Sequence, residues 1–491
     1  MHLESFRQHP DQRGGTGGED VGDILRAKRY FPFAALLLAN FMEVLNAMFV
    51  NVSMPVVARD LHASSHITHW FYSSYALGFA LTLVLTGPMA DRVGHRRVFL
   101  AGAALYVGAS LSCAMSGGIM AFLLSRLAQG AAFALTAPQI MGLLHILYAP
   151  HDRVRLLPAL GFASASAGTF GPVVAGLLIS GNFADLGWRV VFMVGAMIGV
   201  TALLLGYWLL PRDTHRPQDG RHEDQGFLYR PMPLVIAVGA IMAMFEWLGR
   251  DTAGFHPWMM ALAALPFVAL WRIRRGTFSL RRPWDARPDP AALSQLATGA
   301  MLTICFSASS NSLIIIINHI LQNGRGHSPY VSGAIQIPYG MGVFLSILFF
   351  GRFLLKKDGR FVIAAGAALL GLAAPLIMWA GQNPHWPVWA LLPILVLAGM
   401  GVGMTSGCIG PASMARIAPA HAGASAAALR LGQQIGLALG GALIMRPYFY
   451  LSQQPVAGTG PPSYLLVLLF VLATAVMLAA SFPRPLFPPR A

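Results

Sequence analysis

FPFAALLLANFMEVLNAMFVNVS, residues 31–53, is an apolar run broken by a single charge, Glu43. A helix rises about 1.5 Å per residue, so roughly 20 such residues cross a hydrocarbon core of about 30 Å. The run shows no period-two alternation, which a membrane barrel strand would need. It therefore predicts a membrane-spanning helix with one carboxylic acid near its middle. Working outward, runs of the same kind recur at 70–90, 98–117, 119–143, 159–180, 190–210, 231–248, 255–274, 292–319, 331–355, 361–380, 387–407, 422–446 and 463–482. The fold predicted is an all-α polytopic membrane protein with fourteen spans. Only 11% of the residues are charged, 56% are hydrophobic and mean hydropathy is +0.59. A soluble domain carries about 25% charged residues.

The chain has a formal charge of +15. In a soluble protein that would suggest nucleic acid, but its distribution argues otherwise. With the N-terminus inside, the outward loops hold only Arg59, Arg189, Arg250, Arg325 and Arg446, and Arg126 and Arg430 lie within spans. The remaining Lys and Arg fall on inward segments, which is the positive-inside pattern for an even number of spans. No nucleic-acid partner is expected, and both termini are expected in the cytoplasm. The polar first thirty residues contain no short apolar stretch before a small-residue cleavage site, so no cleavable signal is expected. Cys113, Cys305 and Cys408 lie far apart inside apolar runs and suggest neither disulfides nor a metal cluster. His62, His66 and His69 recur at helical spacing beside an outer loop and read better as a solvated loop than as metal ligands. No G-x-x-x-x-G-K-[ST] phosphate loop occurs, so ATP hydrolysis and other cofactor chemistry are not expected.

Two long charged inward loops, 211–230 and 275–290, bracket the spans at 231–248 and 255–274. The organisation expected is a cytoplasmic tail (1–30), a six-helix bundle (31–210), inward loops with two inserted helices (211–290), a second six-helix bundle (291–482) and a short tail (483–491). The halves repeat: GPMADRVGHRR (87–97) follows the second span of the first, and GRFLLKKDGR (351–360) the second span of the other. Paired halves with a site at their interface are a recurring transporter architecture. In the first loop Gly87 and Gly94 permit a tight turn, Asp91 is placed to meet a helix N-terminus or arginines, and Arg92, Arg96 and Arg97 hold the loop inside. The loop would latch one orientation of the halves. In the fifth span, Pro172 removes a backbone hydrogen bond while Gly168, Gly171 and Gly176 let helices approach closely.

These motifs together resemble the major facilitator superfamily, specifically its fourteen-span drug:proton antiporters of the EmrB/QacA type, over nearly all of 31–482. LNAMFVNVSMP (45–55) is similar to the first-span signature, WFYSSYALG (70–78) to the start of the second, and GPMADRVGHRR to the loop between spans two and three. LSRLAQGAAFA (124–134) is similar to the fourth-span motif and GTFGPVVAG (168–176) to the fifth-span motif associated with antiport. GHSPYVSGAIQIP (326–338) and LGQQIGLALGG (431–441) have counterparts in the second half. The resemblance implies a secondary transporter, not an enzyme, acting in a bacterial cytoplasmic (inner) membrane. It implies proton-coupled efflux of amphipathic small molecules by alternating access, with substrate, protons and the lipid bilayer as partners and a periplasmic adaptor protein as a compatible one. A dedicated metabolite exporter or an uncoupled facilitator on the same fold is the alternative. A polytopic enzyme would need a cluster of acid, base or nucleophile at one membrane face, which the sequence lacks.

Of the acidic residues only Glu43 and Glu246 fall within predicted spans. A charge at mid-membrane costs about 2.5–3.5 kcal/mol on insertion scales, so such residues face a cavity or the bundle interior. Burial favours the protonated acid and a nearby cation favours its loss, which suits Glu43 to proton exchange. The family usually has an aspartate where Asn46 stands, and Glu43 is three residues earlier on a shared helix face. It tends to place an arginine where Gln433 stands, and Arg430 is again three earlier. These parallel displacements suggest that Glu43 and Arg430 both serve the central cavity. The family's fourth-span arginine maps onto Arg126, which shares a face with Gln129 and is expected to couple or line the cavity. Asn311 and Asn318 share a face of the ninth span and would line a substrate path or bond neighbouring helices. Trp70, Tyr75, Phe79 and Phe133 are further cavity candidates.

Overall fold

The predicted spans from 31–53 to 190–210, and from 292–319 to 422–446, fall largely on helical residues. A computed structural model describes residues 17–212, 290–354, 359–382, 386–417, 422–445 and 448. The predicted spans at 231–248, 255–274 and 463–482, with Glu246, lie outside the described residues. In chain order the helices are α1 (Gly17–Asp60), α2 (Trp70–Val93), α3 (His95–Ala114), α4 (Ile119–Leu147), α5 (Pro150–Ser180) and α6 (Arg189–Leu209). They continue as α7 (Pro290–His319), α8 (Ile337–Leu354), α9 (Gly359–Gln382), α10 (Leu391–Met414) and α11 (Ala422–Gly440). Among the described residues, seven helices are long and apolar enough to cross a membrane.

The span predicted at 331–355 is divided. A short helix, Pro329–Ala334, precedes α8, with a turn at Ile335 and Gln336 between them. Pro338 has no N–H to give the carbonyl of Ala334, and its ring disfavours a continuous helix there. Helices α7 and α11 both end in π-turns, Ile320–Gly324 and Gly441–Met445.

The sequence repeat is also a packing repeat. In the first half α2 and α3 pack on α4 while α1 packs on α5; in the second, α8 and α9 pack on α10 while α7 packs on α11. Small residues set the closeness. A Cβ added at Gly78 would meet the Leu127 carbonyl, and one at Gly130 the Tyr75 carbonyl. The second half has the same reciprocal pair, Gly342 against the Val396 carbonyl and Gly399 against the Tyr339 carbonyl. The offset relating Gly87 to Gly351 also relates Tyr75 to Tyr339 and Gly78 to Gly342.

Between the halves, α2 packs on α11, and α5 packs on α8 and the short helix before it. These seams run from mid-depth to the end where α1 finishes at Asp60. Gln322 Nε2 donates to the Val52 carbonyl (3.0 Å), and the Tyr330 amide donates to Ser180 Oγ (3.1 Å). Ala76 and Ala80 pack with Leu431, Leu437 and Ala438.

At the opposite end, a single residue joins α2 to α3. Gly94 has φ 102° and ψ 140°, a region closed to ordinary side chains. Gly87, expected to share the turn, lies inside α2 with open space around it. Helix α2 runs straight through to Val93, so the turn needs only Gly94. Gly94→Ala is expected to cost about 1–3 kcal/mol of backbone strain. Thermal unfolding of the purified protein should show a lower midpoint for Gly94→Ala and an unchanged one for Gly87→Ala.

Candidate functional site

Near mid-depth a cavity of about 380 Å³ opens between the halves. Its two walls differ in chemistry. From the first half come Glu43 and Ala47 of α1 and Tyr75 of α2. From the second come hydroxyl and amide groups: Thr303, Ser307, Ser310 and Asn311 of α7, Ser406 of α10, and Gln433 and Gln434 of α11. Phe306, Ile409, Leu429 and Leu437 supply apolar surface between them. Gln434 Oε1 is buried without a hydrogen-bond partner among the described residues. An unpaired buried acceptor of this kind costs about 1–3 kcal/mol and is relieved by any donor that enters.

Glu43 does not stand alone. Arg430 Nη1 donates to its Oε1 at 2.6 Å, an ion pair linking α1 to α11 across the interface of the halves. The carboxylate side chain is 11% exposed and the guanidinium side chain 42%. The acid is therefore the desolvated partner and the base the accessible one. The two residues whose displacement the sequence suggested are brought into contact.

Asn46 behaves differently from its neighbour. It accepts a long bond from the Tyr106 hydroxyl, 3.4 Å, inside the first half, and does not line the cavity. Three residues on a helix of 3.6 per turn stand about 60° apart, enough to separate the two side chains. Gln433 does line the cavity beside Arg430's helix face.

Arg126 is buried behind that wall, not in it. Its Nε donates to the Phe71 carbonyl (3.2 Å) and its Nη1 to Gln129 Oε1 (2.5 Å), while Gln129 Nε2 donates to Ser110 Oγ (2.8 Å). The guanidinium carbon sits 4.7 Å from the centre of the Tyr75 ring. Tyr75 is thus the layer between a buried cation and the cavity, a cation–π arrangement that strengthens in a desolvated site. Phe79 and Phe133 are fully buried in the core of the first half, and Trp70 lies beside His69.

The fifth-span residues divide between two neighbours. A Cβ at Gly171 would meet Met48 of α1, and Gly168 faces Val44 at the limit of contact. Across the interface, the Pro172 carbonyl lies against Gly333, and Gly176 against the Pro329 carbonyl. Asn311 and Asn318 also part company. Asn311 lines the cavity, whereas Asn318 is fully buried and its Oδ1 accepts from Ser332 Oγ (2.7 Å) and Gln336 Nε2 (3.0 Å). Seven residues carry α7 about 10 Å along its axis, to where the Pro329–Ala334 helix covers it. In the first turn of α3, Arg96 Nη2 donates to the Tyr207 carbonyl (2.6 Å) and its guanidinium lies over that ring, fastening α3 to α6. Of Asp91 only the backbone is described; Arg92 follows it in the last turn of α2. Among the described residues no three His, Cys, Asp or Glu converge to hold a metal ion.

The model for the Major Facilitator Superfamily matches residues 36–441. The chain is 28% identical to the probable actinorhodin transporter of Streptomyces coelicolor, over 90% of this chain and 76% of that protein. It is 29% identical to the puromycin resistance protein of Streptomyces alboniger, over 85% of this chain and 81% of that one. Among solved structures, a peptide transporter in complex with sulfate superposes with a TM-score of 0.65 at 15% identity, covering 91% of this chain and 93% of that one. A nucleoside transporter superposes at 0.62 and 16%, covering 92% and 98%. At such identities the structures speak for the fold. The chain belongs to the Major Facilitator Superfamily.

Proposed function

We propose that this integral membrane protein exports amphipathic small molecules in exchange for protons, with Glu43 as the proton carrier and Arg430 as its counter-ion. The observation that carries the reading is the Glu43–Arg430 pair at the central cavity, joining the halves that alternating access must separate. A proton on Glu43 removes the charge that holds Arg430; its loss restores the pair. Substrate bound at the cavity wall competes with the protonated state, and each direction of motion carries one or the other. Similarity to proteins named for antibiotic transport and resistance supports export as the direction.

Basic residues orient the cycle. Arg92, Arg96, Arg97, Arg153, Arg155 and Arg416 lie at the end of the bundle opposite Asp60, which on the positive-inside rule is the cytoplasmic end of a bacterial inner membrane. The cavity then opens toward the cytoplasm and the seams close the far side, an inward-facing state. The segment from Gly87 to Arg97, with Asp91, Arg92 and its turn at Gly94, acts as the latch at the cytoplasmic face. Gly168, Gly171, Pro172 and Gly176 give α5 the smooth surface on which the halves turn. Arg126 and Gln129 act on the cavity through Tyr75.

A second reading, a dedicated exporter of one metabolite, is favoured by the one-sided wall of hydroxyls and amides on α7, α10 and α11. Such a wall rewards a substrate with matching oxygens more than a merely greasy one. The experiment is uptake into inverted membrane vesicles under an imposed pH gradient, with lipophilic cations screened against organic anions and polyhydroxylated aromatics. Accumulation that collapses with the gradient supports antiport. Uptake indifferent to the gradient would leave a facilitator.

A further inference from the structure

The Asp60 end holds a second cavity of about 580 Å³, which shares no lining residue with the central one. It too is built from both halves. Arg59 comes from the end of α1 and His62 from the turn after it, Tyr72 from α2, His319 and Asn323 from the end of α7, and Tyr448 from beyond α11. In sequence Val50, Phe71 and Ile314 fall between lining residues of the two cavities on α1, α2 and α7, and all three are buried in one apolar cluster.

Arg59 is the fixed charge of its described lining. The described lining contains Arg59, His62 and His319 and no aspartate or glutamate. The acid next to Arg59 in the chain is committed elsewhere: Asp60 accepts from Trp188 Nε1 (2.9 Å) and from Arg189 Nη1 (3.0 Å) at the start of α6. Arg59 Nε donates to the Pro55 carbonyl (3.3 Å), and no carboxylate among the described residues pairs with its guanidinium. His62 is held at φ 49°, a conformation that a non-glycine residue keeps only where its surroundings impose it. His319 is oriented by Asn323 Nδ2 at 3.1 Å from its Nδ1 and by the Tyr448 ring, packed edge-on at 5.5 Å. Met54, Ala58 and Ile315 give the cavity apolar surface alongside Tyr72 and Tyr448. Its volume falls within the range of small-molecule sites, about 300–1,000 Å³.

We infer that this cavity is a second binding site, selective for an amphipathic aromatic anion, whose occupancy braces the two halves in the closed arrangement seen here. The anionic head meets Arg59 and the histidines, and the ring lies between Tyr72 and Tyr448. A ligand that touches both halves binds only while they are together, and so shifts the equilibrium toward that state. The binding claim stands on the cavity alone. Its consequence for transport rests on the export reading: an anion supplied from the Asp60 side slows turnover without displacing substrate.

The test is titration calorimetry on the purified full-length chain with naphthalenesulfonate, and with naphthylmethylammonium as the charge-reversed control. Wild type should bind the sulfonate and not the ammonium at this site. Arg59→Gln should weaken sulfonate binding about tenfold, corresponding to about 1.4 kcal/mol. Arg59→Lys should largely restore it, and His62→Gln should weaken it in the same direction. Equal affinity in Arg59→Gln, or equal affinity for the ammonium, would each overturn the assignment. In vesicles the sulfonate on the Asp60 side should lower the maximal rate with KM unchanged; a raised KM would overturn the bracing role. Were the export reading wrong, transport would be missing while calorimetric binding persisted.

Discussion

Glu43→Gln should abolish accumulation driven by a pH gradient while leaving exchange of substrate for substrate. The substitution keeps the shape of the side chain and its hydrogen bond to Arg430, but it removes the only atom pair in that contact that can take up and release a proton. A proton carried down a gradient of one pH unit is worth about 1.4 kcal/mol, which corresponds to an accumulation ratio of about tenfold. That ratio is the part of the accumulation that the variant loses. Counterflow needs only binding and reorientation, so it survives at reduced rate with Arg430 held by a neutral acceptor. Inverted vesicles report both quantities on one preparation. Gradient-driven accumulation at the wild-type level in Glu43→Gln would remove Glu43 from the coupling mechanism.

Gly333→Ala should open the seam between the halves. The added methyl would run into the Pro172 carbonyl, and both are backbone, so neither side can turn away. Overpacking of this sort costs about 1–3 kcal/mol, a shift of roughly five- to 150-fold between two states. The cost falls on the closed seam alone, so the halves separate while each remains folded. Ser73, 3% exposed and facing Gly441 in the companion seam of α2 and α11, is a place to read the change. The native cysteines Cys113, Cys305 and Cys408 are buried, so a maleimide reports chiefly on Ser73→Cys. Its labelling should quicken about tenfold in the Gly333→Ala background. In the Gly130→Ala background, where the clash lies inside the first half against the Tyr75 carbonyl, thermal stability should fall instead. Unchanged Ser73→Cys labelling in a folded Gly333→Ala protein would show that the seam is not where the halves part.

Much of the architecture was legible in one sequence because its signals are local. Apolar runs of about 20 residues mark helices wherever the structure describes them, and the glycine-bearing repeat goes with a matched packing of α2 on α4 and of α8 on α10. Local signals failed where a face or a break depended on three dimensions. Pro338 divides a run that hydropathy reads as continuous. Gly87 resembles a turn residue but sits in a helix that has no reason to stop before Gly94. Glu43 and Asn46 were read as sharing a face, yet their small angular separation sends one to the cavity and the other to Tyr106. The pairing of Glu43 with Arg430 joins residues far apart in the chain, and only their parallel displacement from a resembled motif hinted at it. The polar wall was legible only in part: Asn311 and Gln433 stand out in the sequence, whereas Thr303, Ser307 and Ser406 look like ordinary packing serines and threonines until the cavity beside them is seen. The same holds for the basic cavity at the Asp60 end, because its residues come from four separate stretches of chain.

The central claim is that substrate and proton compete through Glu43, and proton release on binding measures it most directly. A substrate identified in the vesicle screen is added to purified protein in weakly buffered detergent solution, and the pH change is followed with an indicator dye. The account predicts that wild type releases protons as substrate binds and that Glu43→Gln binds substrate with no release. Binding without proton release in wild type, or release undiminished in Glu43→Gln, would contradict it.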